Sequence, residues 1–234
     1  MVVMVTKTKR AERRTDALSK ERIVEAAIEI LDTDGESALT FRALAARLAT
    51  GSGALYHHVA SKNDLLTAAT EEVITGVMTG LAPGDEPRAA IQAIALGVFD
   101  AIDAHPWVGT QLAQEPWQFA VLPVLEGFGQ QLQALGVLGP AQFDCASALL
   151  NYILGLAGQY AAGVRLLAGV TDRTAFLATV ADRWADLDPA RFPFLRQAAP
   201  QLPAHDDREQ FLAGIDLILA GITATSGSRR SSAR

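Results

Sequence analysis

Apolar residues recur at helical spacing from residue 20 onward. After Ser19, a typical N-cap, they fall at i, i+3, i+4, i+7 and i+8, which predicts an amphipathic helix that Gly35 ends. That stripe consists of Ile23, Ala26, Ala27, Ile30 and Leu31. Thr40 is predicted to cap a second helix, whose buried face holds Phe41, Leu44, Ala45 and Leu48. The run 49–52 interrupts the pattern, and a third short helix is indicated by Leu55, Tyr56 and Val59.

The remainder of the chain also predicts helices. Ser61 and Asp64 form an acidic variant of the capping box before a long helix. The predicted helices cover residues 65–81, 87–104, 107–112, 116–135, 140–168, 171–184 and 206–223. Four prolines make 186–205 a predicted loop with only short turns. No period-2 alternation is long enough for a sheet, so we expect an all-α protein.

Composition agrees with a globular helical protein. Half of the 234 residues are hydrophobic and a fifth are charged, which is an ordinary balance for such proteins. The first residues lack a long apolar core, and the most apolar stretch, 146–164, is rich in glycine and contains Asn151. We therefore expect neither a signal peptide nor a membrane span. The lone Cys145 excludes a disulfide framework, and a cytoplasmic protein is expected.

Positive charge is concentrated at the N-terminal end. The chain carries a net charge of -6, yet residues 1–65 carry +1 and residues 66–234 carry -7. Residues 1–20 alone carry +4, and all four lysines precede residue 63. This asymmetry is typical of a protein whose one end meets a polyanion, although a merely solvated basic tail would give the same pattern.

Periodicity and charge together divide the chain into four segments. Residues 1–18 are predicted to be a flexible basic arm, and residues 19–66 a three-helix module. Residues 67–224 form a larger helical domain, and the Ser/Gly/Arg-rich residues 225–234 are predicted to be disordered.

Three short helices with a tight turn between the second and third match a helix-turn-helix DNA-binding domain. The third helix begins at Ser52-Gly53-Ala54, where small side chains allow close approach to a DNA groove. Tyr56, His57 and His58 carry polar tips that can reach a phosphate or a base edge. Lys62 lies near the N-terminus of the next helix, where a phosphate is favoured.

The segment LTFRALAARLATGSGALYHHVASKNDLL resembles the TetR family of bacterial transcriptional regulators. The resemblance rests on four short motifs in fixed order and is strongest over residues 19–66. The motifs are Thr40-Phe41-Arg42, Leu44-Ala45-Ala46-Arg47-Leu48, Leu55-Tyr56-His57-His58-Val59 and Ser61-Lys62-Asn63-Asp64-Leu65-Leu66. The remainder resembles, more loosely, the C-terminal domain of TetR itself.

The resemblance implies a homodimeric repressor that binds a palindromic double-stranded DNA operator. By position, the family's phosphate contacts fall on Thr40, Tyr56, His58 and Lys62. Its base-reading positions fall on Arg42, Ser52, Gly53, Ala54 and His57. Gly53 and Ala54 are smaller than the residues common there, which leaves Arg42, Ser52 and His57 as the expected direct readers.

The resemblance also implies that a small-molecule effector binds the C-terminal domain and releases the DNA. Aromatic residues beside prolines, with a few polar groups, suggest a pocket for a largely apolar ligand. The candidate pocket residues are Met78, Phe99, Trp107, Gln111, Trp117, Phe119, Asn151, Tyr152 and Gln159. Trp107 stands where the tetracycline–magnesium site of TetR would need a histidine, so we expect no metal and no cofactor.

Dimerisation is predicted for the long helix and the last helix. Small residues on the former, including Gly155 and Gly158, would allow close helix approach. The last helix is apolar around most of its circumference, which favours cover by a second subunit. The predicted interface comprises Leu149, Leu156, Tyr160, Phe211, Ile215, Ile218, Leu219 and Ile222.

Three alternatives compete with this interpretation. Hydrolase, zincin, P-loop and dinucleotide-binding motifs are all missing, so an enzyme is not expected. His57 and His58 point about 100° apart on a helix, which makes a metal pair unfavourable. A helical dimeric adaptor or ligand-binding protein that has lost specific DNA reading remains the main alternative, because of Gly53 and Ala54.

Overall fold

The computed structural model describes residues 18–81, 86–114, 119–166 and 172–232, with side chains described outside 160–166 and 225–232. In these residues it contains α-helices and short 3-10 turns and no strand. The helices are α1 (Lys20–Asp34), α2 (Phe41–Arg47), α3 (Ser52–Leu55), α4 (Lys62–Gly80), α5 (Pro87–Ala104), α6 (Pro106–Gln114), α7 (Leu122–Ala134), α8 (Pro140–Leu166), α9 (Arg173–Ala185), α10 (Pro193–Ala198) and α11 (Asp207–Ser232). The all-α prediction is confirmed.

Local capping starts three of the first four helices as predicted. The Ser19 hydroxyl accepts from Arg22 N at 3.3 Å, and the Thr40 hydroxyl accepts from Ala43 N at 3.1 Å. The Ser61 hydroxyl accepts from Asp64 N at 3.1 Å. Each cap satisfies one backbone donor that the first turn of a helix leaves without a partner.

Helices α1–α3 form the N-terminal head, whose core is built by the predicted apolar stripes. Its almost fully buried side chains are Ile23, Ala27, Ile30, Leu31, Leu39, Leu44 and Leu55. Helix α1 also packs against α4, whose Leu65 and Ala69 are buried. The head is therefore attached through a continuous apolar core to the helices that follow.

Helices α5–α11 form the C-terminal body, in which α8 packs against α5, α6, α7 and α11. Gly109 of α6 lies against the α8 backbone, since a β-carbon there would be 3.0 Å from the Ala157 carbonyl oxygen. Helix α11 is fixed to α5 by Asp216 Oδ1, which accepts from Arg88 Nη2 and from Gln92 Nε2, both at 2.8 Å.

The sequence predicted too little order in the C-terminal third. The segment 186–205, predicted as a loop, contains α10 and a 3-10 helix at Ala199–Ala204. Prolines 193 and 200 occupy first-turn positions of these helices, where the missing N–H is not needed. Helix α11, predicted to end near Thr223 before a disordered tail, continues to Ser232.

Another predicted helix differs at its start, and the predicted end of a further one, 167–168, lies outside the described residues. Helix α7 begins at Leu122 after a 3-10 turn at Phe119–Val121, while part of its predicted start, 116–118, lies outside the described residues. Helix α8 is described to Leu166.

None of the described helices is both long and apolar enough to cross a membrane.

Candidate nucleic-acid interface and ligand-binding region

The turn between α2 and α3 is closed by backbone geometry. Thr50 N donates to the Ala45 carbonyl at 2.9 Å, and Ala49 adopts a positive φ of 50°. A left-handed residue at this point reverses the chain after α2, at a cost of about 1–2 kcal/mol for alanine. Gly51 then precedes α3 in an extended conformation.

An aromatic stack fixes the angle between α2 and the end of α3. The rings of Phe41 and Tyr56 lie 4.4 Å apart and nearly parallel, at 8°. Tyr56 remains 57% exposed, so the stack holds its hydroxyl at the surface of the head. The sequence assigned Phe41 to the buried face of α2, whereas it is half-buried under Tyr56. Its role as a support for Tyr56 was missed because the two residues are distant in sequence.

The structure places most of the predicted DNA contacts on the exposed surface of the head. The exposed members are Thr40, Arg42, Ser52, Gly53, Tyr56, His57 and His58, whereas Ala54 and Lys62 are partly exposed. A β-carbon at Gly53 would meet nothing within 4 Å. The glycine is therefore not required by packing inside this chain.

This surface carries no carboxylate of its own. Residues 37–63 contain no Asp or Glu, but include Arg42, Arg47 and Lys62. Arg47 Nε donates to Glu29 Oε2 of α1 at 2.8 Å, and Arg42 is in none of the ion pairs among the described residues. Arg42, an exposed cation in none of these ion pairs, therefore suits contact with a polyanion.

A polar contact joins the head to the body at the start of α6. Asp32, in the last turn of α1, has one carboxylate oxygen that accepts from His105 Nδ1 and from Trp107 Nε1, both at 2.7 Å. A carboxylate at a helix C-terminus opposes the helix dipole, so this contact offsets an unfavourable position. Sequence reasoning missed Asp32, because nothing near it in the chain indicates its partners.

The predicted pocket residues do not converge on one cavity. Phe99 is buried and stacks on Phe211 at 5.0 Å, and Tyr152 stacks on the same ring at 5.5 Å. Burial raises the pKa of Tyr152, whose hydroxyl donates to the Phe211 carbonyl at 3.4 Å. These three rings form an α5–α8–α11 contact rather than a pocket wall.

The remaining pocket candidates are dispersed. Trp107 is 7% exposed and points its N–H at Asp32, and Gln111 is also buried. Asn151 and Gln159 are exposed on α8, so they cannot orient a ligand inside the body. Met78 is partly buried near Gly127, and Trp117 lies outside the described residues.

An open groove of about 720 Å³ lies between α7 and α8, and among the described members of the predicted set only Phe119 lines it. Its rim includes Leu122 and Phe143, and its polar lining includes Glu126 and Gln142. Phe119 is 74% exposed. A second space, between α4, α5, α6, α7 and α8, holds only about 10 Å³, which is near the minimum for one water.

Most predicted interface residues are buried within their own chain. The buried members are Leu149, Phe211, Ile215, Leu219 and Ile222. Leu156 and Ile218 are half-buried, and the side chain of Tyr160 lies outside the described ones. The four α11 members pack on α5 and α8 of the same subunit, and Leu149 is buried on α8, so these five side chains are not free to contact a partner. Leu217, at 75% exposed, faces outward instead.

Comparison with known proteins identifies the family. The model of the bacterial regulatory proteins of the tetR family matches residues 23–69, and that of the tetracyclin repressor-like C-terminal domain matches residues 81–226. The structure of SCO7222, a TetR transcriptional regulator from Streptomyces coelicolor, is 52% identical with a TM-score of 0.79. The match covers 89% of this chain and 99% of that one.

Two further relatives carry more specific descriptions. The HTH-type transcriptional repressor DrrR1 of Streptomyces coeruleorubidus is 28% identical over 221 residues, which are 91% of this chain and 80% of that protein. ActR of Streptomyces coelicolor, solved in complex with actinorhodin, is 25% identical with a TM-score of 0.72 over 90% of this chain and 99% of that one. Together with the two family models and the three-helix head, these relatives confirm the resemblance seen in the sequence: the chain belongs to the TetR family of bacterial transcriptional regulators.

Proposed function

We propose that this regulator is a repressor whose head binds a palindromic operator, and that a largely apolar effector bound by the body releases it. The DNA-binding part rests on the exposed surface formed by α2, α3 and the residues just after α3, which presents Arg42, Ser52 and His57 beside Tyr56. Residues 37–63, which form this surface, contain no Asp or Glu. Phosphate contacts supply affinity and position, and side chains at base edges supply specificity.

The small side chains at the start of α3 support close approach to DNA. Gly53 has open space around it and Ser52 is exposed. A helix N-terminus with small residues can enter the major groove deeply. Arg42 and His57 then remain as the side chains long enough to reach base edges.

Two comparisons support the repressor role and the class of effector. DrrR1 is named a repressor, and ActR was solved with actinorhodin bound. The α7–α8 groove of this chain exposes Phe119 and Phe143, and such a lining suits an apolar ligand.

The contact of Asp32 with His105 and Trp107 offers a physical route for release. His105, just before α6, and Trp107, in the first turn of α6, hold two donors for a carboxylate of the head. A ligand that moves α6 away from α1 would break these hydrogen bonds and would thereby change the orientation of the head. A ligand that leaves α6 in place would retain them. Such coupling requires that the ligand bind the two arrangements with different affinity.

A homodimer would present two heads to two half-sites. We propose that the outward faces of α8 and α11, including Leu217, form its interface. This revises the earlier residue set while it keeps the same two helices.

Selection of bound duplexes from a random DNA pool tests the proposal. An enriched palindrome with half-sites about one helical turn apart or slightly more is expected. His57→Ala should then change preference at one base pair per half-site by about 1–3 kcal/mol. Arg183→Ala, an exposed change on α9, is the control and should leave the selected sequence unaltered.

The adaptor alternative gives the opposite result. Folded, dimeric protein that enriches no sequence, and whose duplex binding shows no specific margin at any salt concentration, would refute the operator-binding role.

A further inference from the structure

In the DNA-free protein, the Lys62 side chain is hydrogen-bonded to a turn of the head. Its Nζ donates to the Glu36 backbone carbonyl at 2.7 Å and lies 3.8 Å from Glu36 Oε1. The two side chains are 41% and 44% exposed. Glu36 belongs to the 3-10 turn between α1 and α2, and Lys62 is the first residue of α4.

The two contacts have different consequences. The carbonyl of Glu36 is part of the turn, where it also accepts from Leu39 N at 3.2 Å. It holds the ammonium at a fixed place, whatever the side chain of residue 36 is. The carboxylate adds a negative charge at that place, and only this part is removed by Glu36→Gln.

Glu36 is also one of the acids that border the candidate DNA surface. Between it and Asp64, at the first turn of α4, the chain has no other Asp or Glu. A phosphate that approaches the Lys62 ammonium would share it with the Glu36 carboxylate. Since like charges repel, either the carboxylate turns away toward solvent or the phosphate binds less tightly.

We propose that Glu36 competes with DNA phosphate for Lys62 and thereby limits the affinity of the head for every duplex. This inference rests on the proposed DNA-binding function. Because phosphates are the same in all sequences, the carboxylate lowers specific and non-specific affinity by the same factor. It keeps non-specific binding weak without changing which sequence is preferred.

The expected effect is modest and depends on salt. Exposed ion pairs contribute up to about 1 kcal/mol, so Glu36→Gln should raise duplex affinity about two- to fivefold at low salt. The gain should shrink as salt increases, because the Debye length falls to about 8 Å at physiological ionic strength.

The experiment is a double-mutant cycle in a DNA-binding titration. Wild type, Glu36→Gln, Lys62→Gln and the double variant are titrated with a random duplex and with the best selected duplex, at two salt concentrations. Glu25→Gln, which removes an exposed acid from α1, is the matched charge control. Thermal melts show that each variant is folded.

A gain for Glu36→Gln on both duplexes, lost in the Lys62→Gln background and absent in Glu25→Gln, supports the proposal. An equal gain in the Lys62→Gln background means general repulsion and overturns it. If the wild type binds DNA and Glu36→Gln shows no gain in duplex affinity, the proposal is also overturned. A wild type that binds neither duplex at any salt concentration refutes instead the DNA-binding function, so the two failures are distinguishable.

Discussion

Asp32→Ala should weaken the attachment of the head to the body. The change removes the acceptor of the Trp107 indole N–H, a donor in a side chain only 7% exposed. A buried donor without a partner costs about 1–3 kcal/mol. The half-exposed His105 pair adds at most about 1 kcal/mol. We therefore expect a total loss of about 2 kcal/mol, or about 4–8 °C in Tm for a chain of this length.

The assay is denaturant unfolding at fixed protein concentration, since oligomers make stability depend on concentration. Asp34→Ala removes a neighbouring carboxylate of α1 whose described hydrogen bond is local, with Thr33 at 3.2 Å, and serves as the control. It should cost less than about 0.5 kcal/mol. Asp32→Asn, which keeps an oxygen acceptor, should lie between the control and Asp32→Ala.

A double-mutant cycle with Trp107→Phe isolates the contact from loss of packing. Residues that share a hydrogen bond should show a coupling of about 1–2 kcal/mol. Coupling below about 0.3 kcal/mol would show that the carboxylate and the indole act independently, and would refute the contact as the link between head and body. With coupling present, Asp32→Ala should also reduce the factor by which an effector lowers DNA affinity.

Three further predictions follow from single positions. Gly53→Ala should stabilise the head by up to about 1 kcal/mol, because the site is open and alanine favours helix, yet it should weaken DNA binding; melts and titrations on one sample test both signs. Phe128→Ala should cost about 3–5 kcal/mol in denaturant unfolding, since this fully buried ring leaves a cavity, and a loss below about 1 kcal/mol would show that the core collapses around it. Leu217→Asp should shift the molecular mass in light scattering from dimer toward monomer without lowering helix content, whereas an unchanged dimer would move the interface elsewhere.

Local signals account for the parts of the fold that could be predicted. The starts of α1, α2 and α4 follow from Ser19, Thr40 and Ser61, each of which bonds to a backbone N–H three residues later. The start of α5 follows likewise from Pro87, which sits in its first turn. The segment 186–205 was misjudged because prolines were taken as breakers, although two of them begin helices.

The residues of the candidate DNA surface could also largely be predicted from the sequence. Its members lie within 23 consecutive residues, and a family pattern fixes their spacing, so the sequence placed them on one module. The residues of the ligand pocket and of the dimer interface could not be predicted in this way. Their members are spread over α4–α11, and periodicity shows that a face is apolar but not which neighbour covers it.

The sequence by itself therefore determined the all-α class, the position of most helices and the residues available at the head surface. Tertiary structure decided that Ile215 faces inward while Leu217 faces outward, and that Trp107 points to Asp32. It also decided that Lys62 lies beside Glu36, 26 residues earlier in the chain. Helix caps form between neighbours three residues apart, whereas these contacts depend on how helices distant in sequence pack together.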